Sequence, residues 1–249
     1  MAKSDDYRKK LRGRTDWESY LLSESRLPGT RANIERAQAV AEEGNEELFG
    51  RYLSYDPVRA PAHSPHEFLA FCGVLGLGRL LAEGKMEILS TLREYASDPR
   101  WRIREAVAMA LQRFGEVSME SLLLEMRQWS KGTLLEKRAA AAALCEPKLL
   151  REETHILSVL RMLDDITASI EHDEERKSDE FKALRKGLGY CWSVVVAALP
   201  EKGKKVIERW FSCSDKDVLW IMRENLKKSR LARMDVEWVN RWKEELGMT

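Results

Sequence analysis

Two stretches of the sequence place a tryptophan four residues before a glutamate. Trp101 precedes Glu105, and Trp220 precedes Glu224. In an α-helix this spacing puts the indole and the carboxylate one turn apart on the same face. Such a pair could stack a planar ligand and stabilise positive charge that develops beside it. Packing of the indole between helices explains the same spacing, so Trp101 and Trp220 are candidate binding residues with core packing as the alternative.

A basic run near the C-terminal end of the sequence is the second candidate for chemistry. One glutamate and five basic residues occupy this eleven-residue stretch, and the basic residues are Arg223, Lys227, Lys228, Arg230 and Arg233. Cations at this density could contact phosphate groups, although they also suit the C-terminal end of any helix. A phosphate-contacting ridge and a solvated helix end are both open interpretations of the run.

The two stretches that contain Trp101 and Trp220 belong to a repeated pattern, Asp-x-x-Trp-x-x-Arg-Glu-x-Val/Leu. Full copies begin at Asp98 and Asp217, a partial copy runs from Asp179 through Arg185, and a fainter one contains Arg138. The arginines of the four copies are 34, 47 and 38 residues apart, the length of a helix-turn-helix unit in an α-solenoid. We therefore predict an all-α, right-handed α-solenoid of about five to six helical hairpins.

The repeated aspartates and arginines also have a structural interpretation. In stacked hairpins such residues satisfy helix N-terminal amides and one another, and so form a ladder across successive repeats. The predicted ladder residues are Asp98, Arg104, Arg138, Asp179, Arg185, Asp217 and Arg223.

Capping residues and local composition predict the helices that carry these residues. A capping sequence at Ser64-Pro65 starts one helix, and alanine-rich residues 134–144 form another. The segment from Tyr190 to Leu199 is apolar on nearly every side and is expected to be the most buried helix. We predict that residues 1–60 form a basic, unstructured tail and a helical cap, followed by one continuous solenoid over residues 61–249.

Composition limits the classes of function. Lysine and arginine total 42 against 41 aspartate and glutamate residues, so the net charge of +1 gives no global attraction for nucleic acid. The four cysteines form no Cys-x-x-Cys pair, and His63 and His66 lack further ligands, so we expect no metal site and no cofactor. Without a signal peptide or a membrane-spanning segment, the chain is expected to be a cytoplasmic monomer.

The repeat resembles that of HEAT-repeat proteins, which have an aspartate near the turn and an arginine six residues later. Asp98 with Arg104, Asp179 with Arg185, and Asp217 with Arg223 match that spacing over about residues 65–235. The Trp- and Arg-rich helices are also similar, more weakly, to the DNA alkylation repair family of helical-repeat glycosylases. That resemblance implies backbone-gripping Arg and Lys residues, with Trp and Asp near the lesion, whereas this chain carries Glu105 and Glu224 in place of Asp.

Two hypotheses of function follow. We assign no catalytic residue, since no signature of a known reaction is present, and this favours a scaffold whose concave surface binds a protein partner. The alternative is a nucleic-acid-binding helical-repeat protein of the DNA alkylation repair type, including a possible DNA glycosylase.

Overall fold

The computed structural model describes residues 2–248, and these residues contain helices and no strands. The all-α class predicted from the sequence is confirmed. The helices are α1 Ala2–Arg12, α2 Trp17–Glu24, α3 Ile34–Glu43, α4 Glu46–Leu53, α5 Glu67–Ala82, α6 Ile88–Tyr95, α7 Trp101–Val117, α8 Met119–Trp129, α9 Leu134–Leu144, α10 Glu153–Ile170, α11 Asp179–Ala198, α12 Pro200–Phe211, α13 Lys216–Leu226, α14 Ser229–Met234 and α15 Val236–Glu245.

The chain divides into two compact units. The first unit ends at Val117 and contains α1 to α7, whereas the second begins at Ser118 and contains α8 to α15. The helices of the proposed N-terminal cap therefore lie in the same unit as α5, α6 and α7.

The basic N-terminal tail is helical, contrary to our expectation of an unstructured arm. Helix α1 packs against α3, and the side chain of Leu11 is completely buried. The Arg8 and Arg12 guanidinium groups both donate to the Glu43 carboxylate at the end of α3. A short segment with one apolar anchor lacks a helical pattern of its own, so its structure depends on these tertiary contacts.

Helix α5 forms the centre of the first unit. It packs against α3, α4 and α7, and 14 of its 16 residues are buried. The prediction that the segment 190–199 is the most buried helix was wrong, because six of its ten residues are buried and Tyr190 is exposed. Glycines permit the close packing of α5, since a Cβ atom at Gly78 would lie 2.5 Å from the Ala110 Cα atom of α7.

Helix α11 has the corresponding position in the second unit, where it packs against α9 and α13. Ser178 caps α11 by accepting a hydrogen bond from the Phe181 amide at 3.0 Å. Helix α9 begins with a capping box between Thr133 and Glu136, and its observed bounds match the alanine-rich segment predicted from the sequence. Pro200 begins α12, at a position that tolerates proline.

Candidate functional site

Helix α11 presents a polar face from the middle of the second unit. Leu184, Leu188 and Cys191 are buried against its neighbours, which fixes the rotation of the helix. Lys186 and Tyr190 are exposed on the opposite side of the helix, and the half-buried Arg185 lies on the flank between the two sides. Lys186 and Tyr190 are four residues apart and therefore lie one turn apart on one exposed face.

Arg185 joins α11 to α13 through two contacts. Its guanidinium group lies over the indole ring of Trp220, 4.5 Å from the ring centroid. The same group donates a hydrogen bond to the carboxylate of Asp217, which is buried and also pairs with Arg176 at 3.1 Å. The positive charge of Arg185 is therefore compensated, and its guanidinium group is held over the tryptophan ring.

Gly189 lets α13 approach α11 closely. A Cβ atom at this position would lie 3.3 Å from the Trp220 ring and 3.2 Å from the Glu224 Cβ atom. Trp220 and Glu224 consequently sit side by side against the α11 backbone, and the Glu224 carboxylate pairs with the Lys227 ammonium group at 2.5 Å. The aromatic–carboxylate pair inferred from the sequence is thus present in space.

Tyr190 provides a second aromatic ring with an arginine partner. The Arg230 guanidinium group of α14 lies 4.7 Å from the centroid of this ring and donates a hydrogen bond to the Tyr190 hydroxyl. The tyrosine is 44% exposed. Its ring is therefore accessible to solvent while its orientation is fixed by Arg230.

Arg138 of α9 lies on the other side of α11, where its Cγ atom would be 3.5 Å from a Cβ atom at Gly187. Together these residues form one surface of the second unit, which we call the strip. Its members are Arg138, Arg185, Lys186, Tyr190, Trp220, Glu224, Lys227 and Arg230.

The basic run at 223–233 is divided by the break between α13 and α14. Arg223 donates to the Leu246 carbonyl at 3.2 Å, whereas Arg230 contacts Tyr190 of α11. Arg233 is exposed on α14, and Lys228 is half-buried in the connection between the two helices. The structure thus brings Lys227 and Arg230 to the strip and directs Arg223 towards the end of the chain.

Trp101, the other tryptophan of the repeat, belongs to the first unit and is 43% exposed. The Arg102 guanidinium group lies 4.4 Å from the Trp101 ring. Arg102 itself is buried, where it pairs with Glu67 at 3.2 Å and donates to the Gly29 carbonyl at 2.9 Å. Trp101 therefore resembles Trp220 in having an arginine over its ring.

The repeated aspartates have several kinds of partner. Asp98 pairs with Arg100 at 2.7 Å, and Arg104 donates to the main-chain carbonyl of Asp98 at 2.6 Å. The exposed Asp179 pairs with Lys182 at 2.8 Å. The buried Asp217 accepts from Arg185 of the preceding copy of the repeat, so this contact joins successive copies.

Two open grooves offer a different chemistry from the strip. One, in the second unit, has a volume of about 520 Å³ and is lined in part by Asp164 and Glu171. The other, in the first unit, has a volume of about 360 Å³ and is lined in part by Asp16 and Glu43. Carboxylates repel phosphate groups. Each groove is also lined by one arginine, Arg209 or Arg51, but its carboxylates outnumber it, so both grooves are poorer anion sites than the strip.

The cysteine thiols and the possible metal ligands are the remaining candidates for a chemical site. Cys72, Cys145 and Cys191 are buried free thiols, and burial raises the pKa of the partly exposed Cys213 thiol, which disfavours a reactive thiolate. Residues 2–248 contain no group of three or more His, Cys, Asp or Glu side chains that could hold a metal ion. None of the helices described above combines the length and apolar character needed to cross a membrane.

Comparison with known proteins identifies the fold. No family model matches the sequence, and no curated protein matches it. The crystal structure of AlkD2 from Streptococcus mutans is similar, with a TM-score of 0.62 over 84% of this chain and 95% of that chain. The chain shares the AlkD2 fold. The two sequences are 20% identical, so this similarity establishes the helical-repeat fold alone.

Sequence reasoning missed Lys186 and Tyr190. The apolar run from Tyr190 to Leu199 predicted burial for the whole segment. Tyr190, the first residue of that run, is nevertheless exposed. A helical projection from Leu184 and Leu188 places positions 186 and 190 away from the buried side. That projection was the available signal.

Proposed function

We propose that this chain is a nucleic-acid-binding helical-repeat protein of the DNA alkylation repair type, with the strip as its binding surface. The observation that carries the proposal is a pair of arginine–aromatic contacts, Arg185 with Trp220 and Arg230 with Tyr190. The same strip carries three further basic residues, Arg138, Lys186 and Lys227. The fold similarity to AlkD2, a helical-repeat protein of DNA alkylation repair, supports the same class.

Local charge supports this function although the net charge of the chain is only +1. Phosphate contacts depend on cations within hydrogen-bonding reach, and the Debye length of about 10 Å at 0.1 M salt makes distant charges unimportant. In the strip, Lys186 is exposed and Arg230 lies beside an exposed ring. These cations can contact backbone phosphates while the aromatic rings contact sugars or bases.

Binding of a fluorescent duplex of about 20 base pairs tests the proposal, measured by anisotropy at low and at moderate salt. We expect binding at low salt that weakens steeply as salt rises. The combined variant Lys186→Gln, Lys227→Gln and Arg230→Gln should lower affinity at least about tenfold, because it removes three cations from the strip.

A matched control makes the same charge change in the same unit away from the strip. It combines the substitutions Lys202→Gln, Lys205→Gln and Arg209→Gln in α12. We expect this control to bind within about twofold of the unsubstituted protein. Equal losses in both variants would indicate nonspecific attraction, and no binding of either the duplex or its single strand at low salt would favour a scaffold for a protein partner.

Base excision is a second candidate function, favoured by the placement of Trp220 and Glu224 against Gly189. In this hypothesis the ring stacks an extruded base and the carboxylate stabilises the glycosyl cation. Incubation with DNA that contains methylated bases should release free base, and Glu224→Gln should abolish release while binding persists. Failure to release base would remove the excision hypothesis and leave the binding proposal intact.

A further inference from the structure

Tyr190 presents an aromatic ring that the packing of the protein covers only in part. It is 44% exposed, whereas its helical neighbours Gly189 and Cys191 are buried. The ring is nevertheless held in place, because Arg230 both lies over it and bonds its hydroxyl. A pre-oriented, exposed ring loses little conformational entropy when a planar ligand stacks on it.

The Arg185–Trp220 pair provides a second stacked unit on the same surface. The Arg185 guanidinium group lies 4.5 Å from the centroid of the indole ring. The edge of the same ring lies against the α11 backbone at Gly189. Trp220 is partly exposed. Guanidinium planes and aromatic rings are the groups on which proteins stack unpaired bases.

The charges of the strip are modest for a surface that would grip a duplex. Its five basic side chains face two carboxylates, because Asp217 compensates Arg185 and Glu224 compensates Lys227. Duplex DNA presents its phosphates at high density but hides the faces of its bases. A single strand presents fewer phosphates and exposes base faces, which match the two ring–arginine pairs.

Resting on the proposed function, we infer that the strip recognises unpaired nucleotides, and that one base stacks on the Tyr190 ring beside Arg230. Lys186, one turn before Tyr190 on α11, contacts the phosphate backbone next to the stacked base. The preferred ligand is therefore a single strand, or an unpaired stretch within a longer nucleic acid, and not an intact duplex.

A pair of matched ligands tests this inference on the full chain. The ligands are a fluorescent DNA strand of about 20 nucleotides and the duplex formed from that strand, at the same low salt concentration. The full chain should bind the single strand at least about fivefold more tightly than the duplex. Tyr190→Ala should weaken single-strand binding roughly 10- to 100-fold, the effect of one lost stacking contact, with less than about twofold change for the duplex.

Two further variants separate stacking from charge and from folding. Tyr190→Phe retains the ring and should keep at least about one third of the single-strand affinity. Lys186→Gln removes a cation without altering a ring, so it should weaken both ligands by a similar factor. Because Tyr190 is only partly buried, the melting temperature of Tyr190→Ala should stay within about 4 °C of that of the unsubstituted protein, the shift that about 1 kcal/mol produces in a chain of this length.

The outcomes distinguish this inference from the proposed function. Equal affinity for single strand and duplex, with no selective effect of Tyr190→Ala, would overturn the inference and leave nucleic-acid binding in place. Absence of binding to both ligands at low salt would overturn the proposed function and the inference together.

Discussion

Asn225 joins α13 to α11 directly beneath the strip. Its side chain is completely buried and makes three hydrogen bonds of 2.8 Å each. The amide oxygen accepts from the Ser193 main chain, and the amide nitrogen donates to the carbonyls of Leu188 and Ile221. These bonds fix the distance at which Trp220 and Glu224 face α11.

Asn225→Leu retains the approximate size of the side chain and removes the hydrogen bonds. We expect unfolding free energy to fall by about 1–3 kcal/mol, since the Ser193 amide loses its side-chain acceptor in a buried environment. Urea unfolding followed by circular dichroism measures this change. The exposed Asn240 is the control, and Asn240→Leu should change stability by less than about 0.5 kcal/mol. Equal effects of the two substitutions would contradict the buried role of Asn225.

Individual members of the strip were predictable from the sequence, but their grouping was not. Spacing within one helix identified Trp220 with Glu224, and charge density identified Lys227 and Arg230. The contact between Arg230 and Tyr190 joins residues 40 positions apart, through a helix break that the continuous basic run does not reveal. Tertiary contacts of this kind are absent from any local pattern.

Among the elements, α9 and α1 show where sequence prediction succeeds and fails. Helix α9 has strong local signals, a capping box at Thr133 and five successive alanines, and its bounds were predicted correctly. Helix α1 has a single buried leucine and is held through Glu43 of α3. Where stability comes from contacts distant in sequence, intrinsic propensity is a weak guide.

The close approach of α5 and α7 depends on Gly78. Gly78→Ala would place a methyl group 2.5 Å from the Ala110 Cα atom, so the helices would have to separate. Overpacking typically costs about 1–3 kcal/mol, more than the gain of about 1 kcal/mol from replacing a helical glycine by alanine. We therefore expect a net loss of stability, visible as a lower midpoint of urea unfolding.

Gly50 of α4 is the matched control for this prediction. Nothing lies within 4 Å of a Cβ atom at that position, so Gly50→Ala adds helical propensity without a clash. It should raise stability by up to about 1 kcal/mol. A Gly78→Ala protein that is as stable as Gly50→Ala would show that α5 and α7 adapt without cost.

For the whole molecule, charge is arranged locally against an almost neutral total. The 42 basic and 41 acidic residues nearly cancel, so acidification makes the chain increasingly positive and opposes folding generally. Against this background, the contribution of one carboxylate is best measured as a difference between variants. Glu43, which holds α1 on α3, is the clearest case.

Hydrogen bonds from Arg12, and then from Arg8, lower the pKa of Glu43 from an ordinary value near 4.5 to about 2. A carboxylate whose pKa is lower in the folded state stabilises the protein above its unfolded pKa, and this contribution is lost as pH falls through the folded pKa. At pH 7, Glu43→Gln should lower the free energy of unfolding by about 1–2 kcal/mol, because the ion pairs with Arg8 and Arg12 are lost. The loss is no larger because Arg12 is largely exposed and solvent screens its charge. The difference should shrink between about pH 4.5 and pH 2.

Urea unfolding of the full chain and of Glu43→Gln at pH 7 and near pH 2.5 measures this dependence. The exposed Glu35, on the same helix, supplies the control, and Glu35→Gln should change stability by less than about 0.5 kcal/mol at pH 7. A Glu43→Gln deficit of the same size at both pH values would show that the loss is one of packing and not of charge. In that case the ion pairs with Arg8 and Arg12 would not be what holds the N-terminal helix in place.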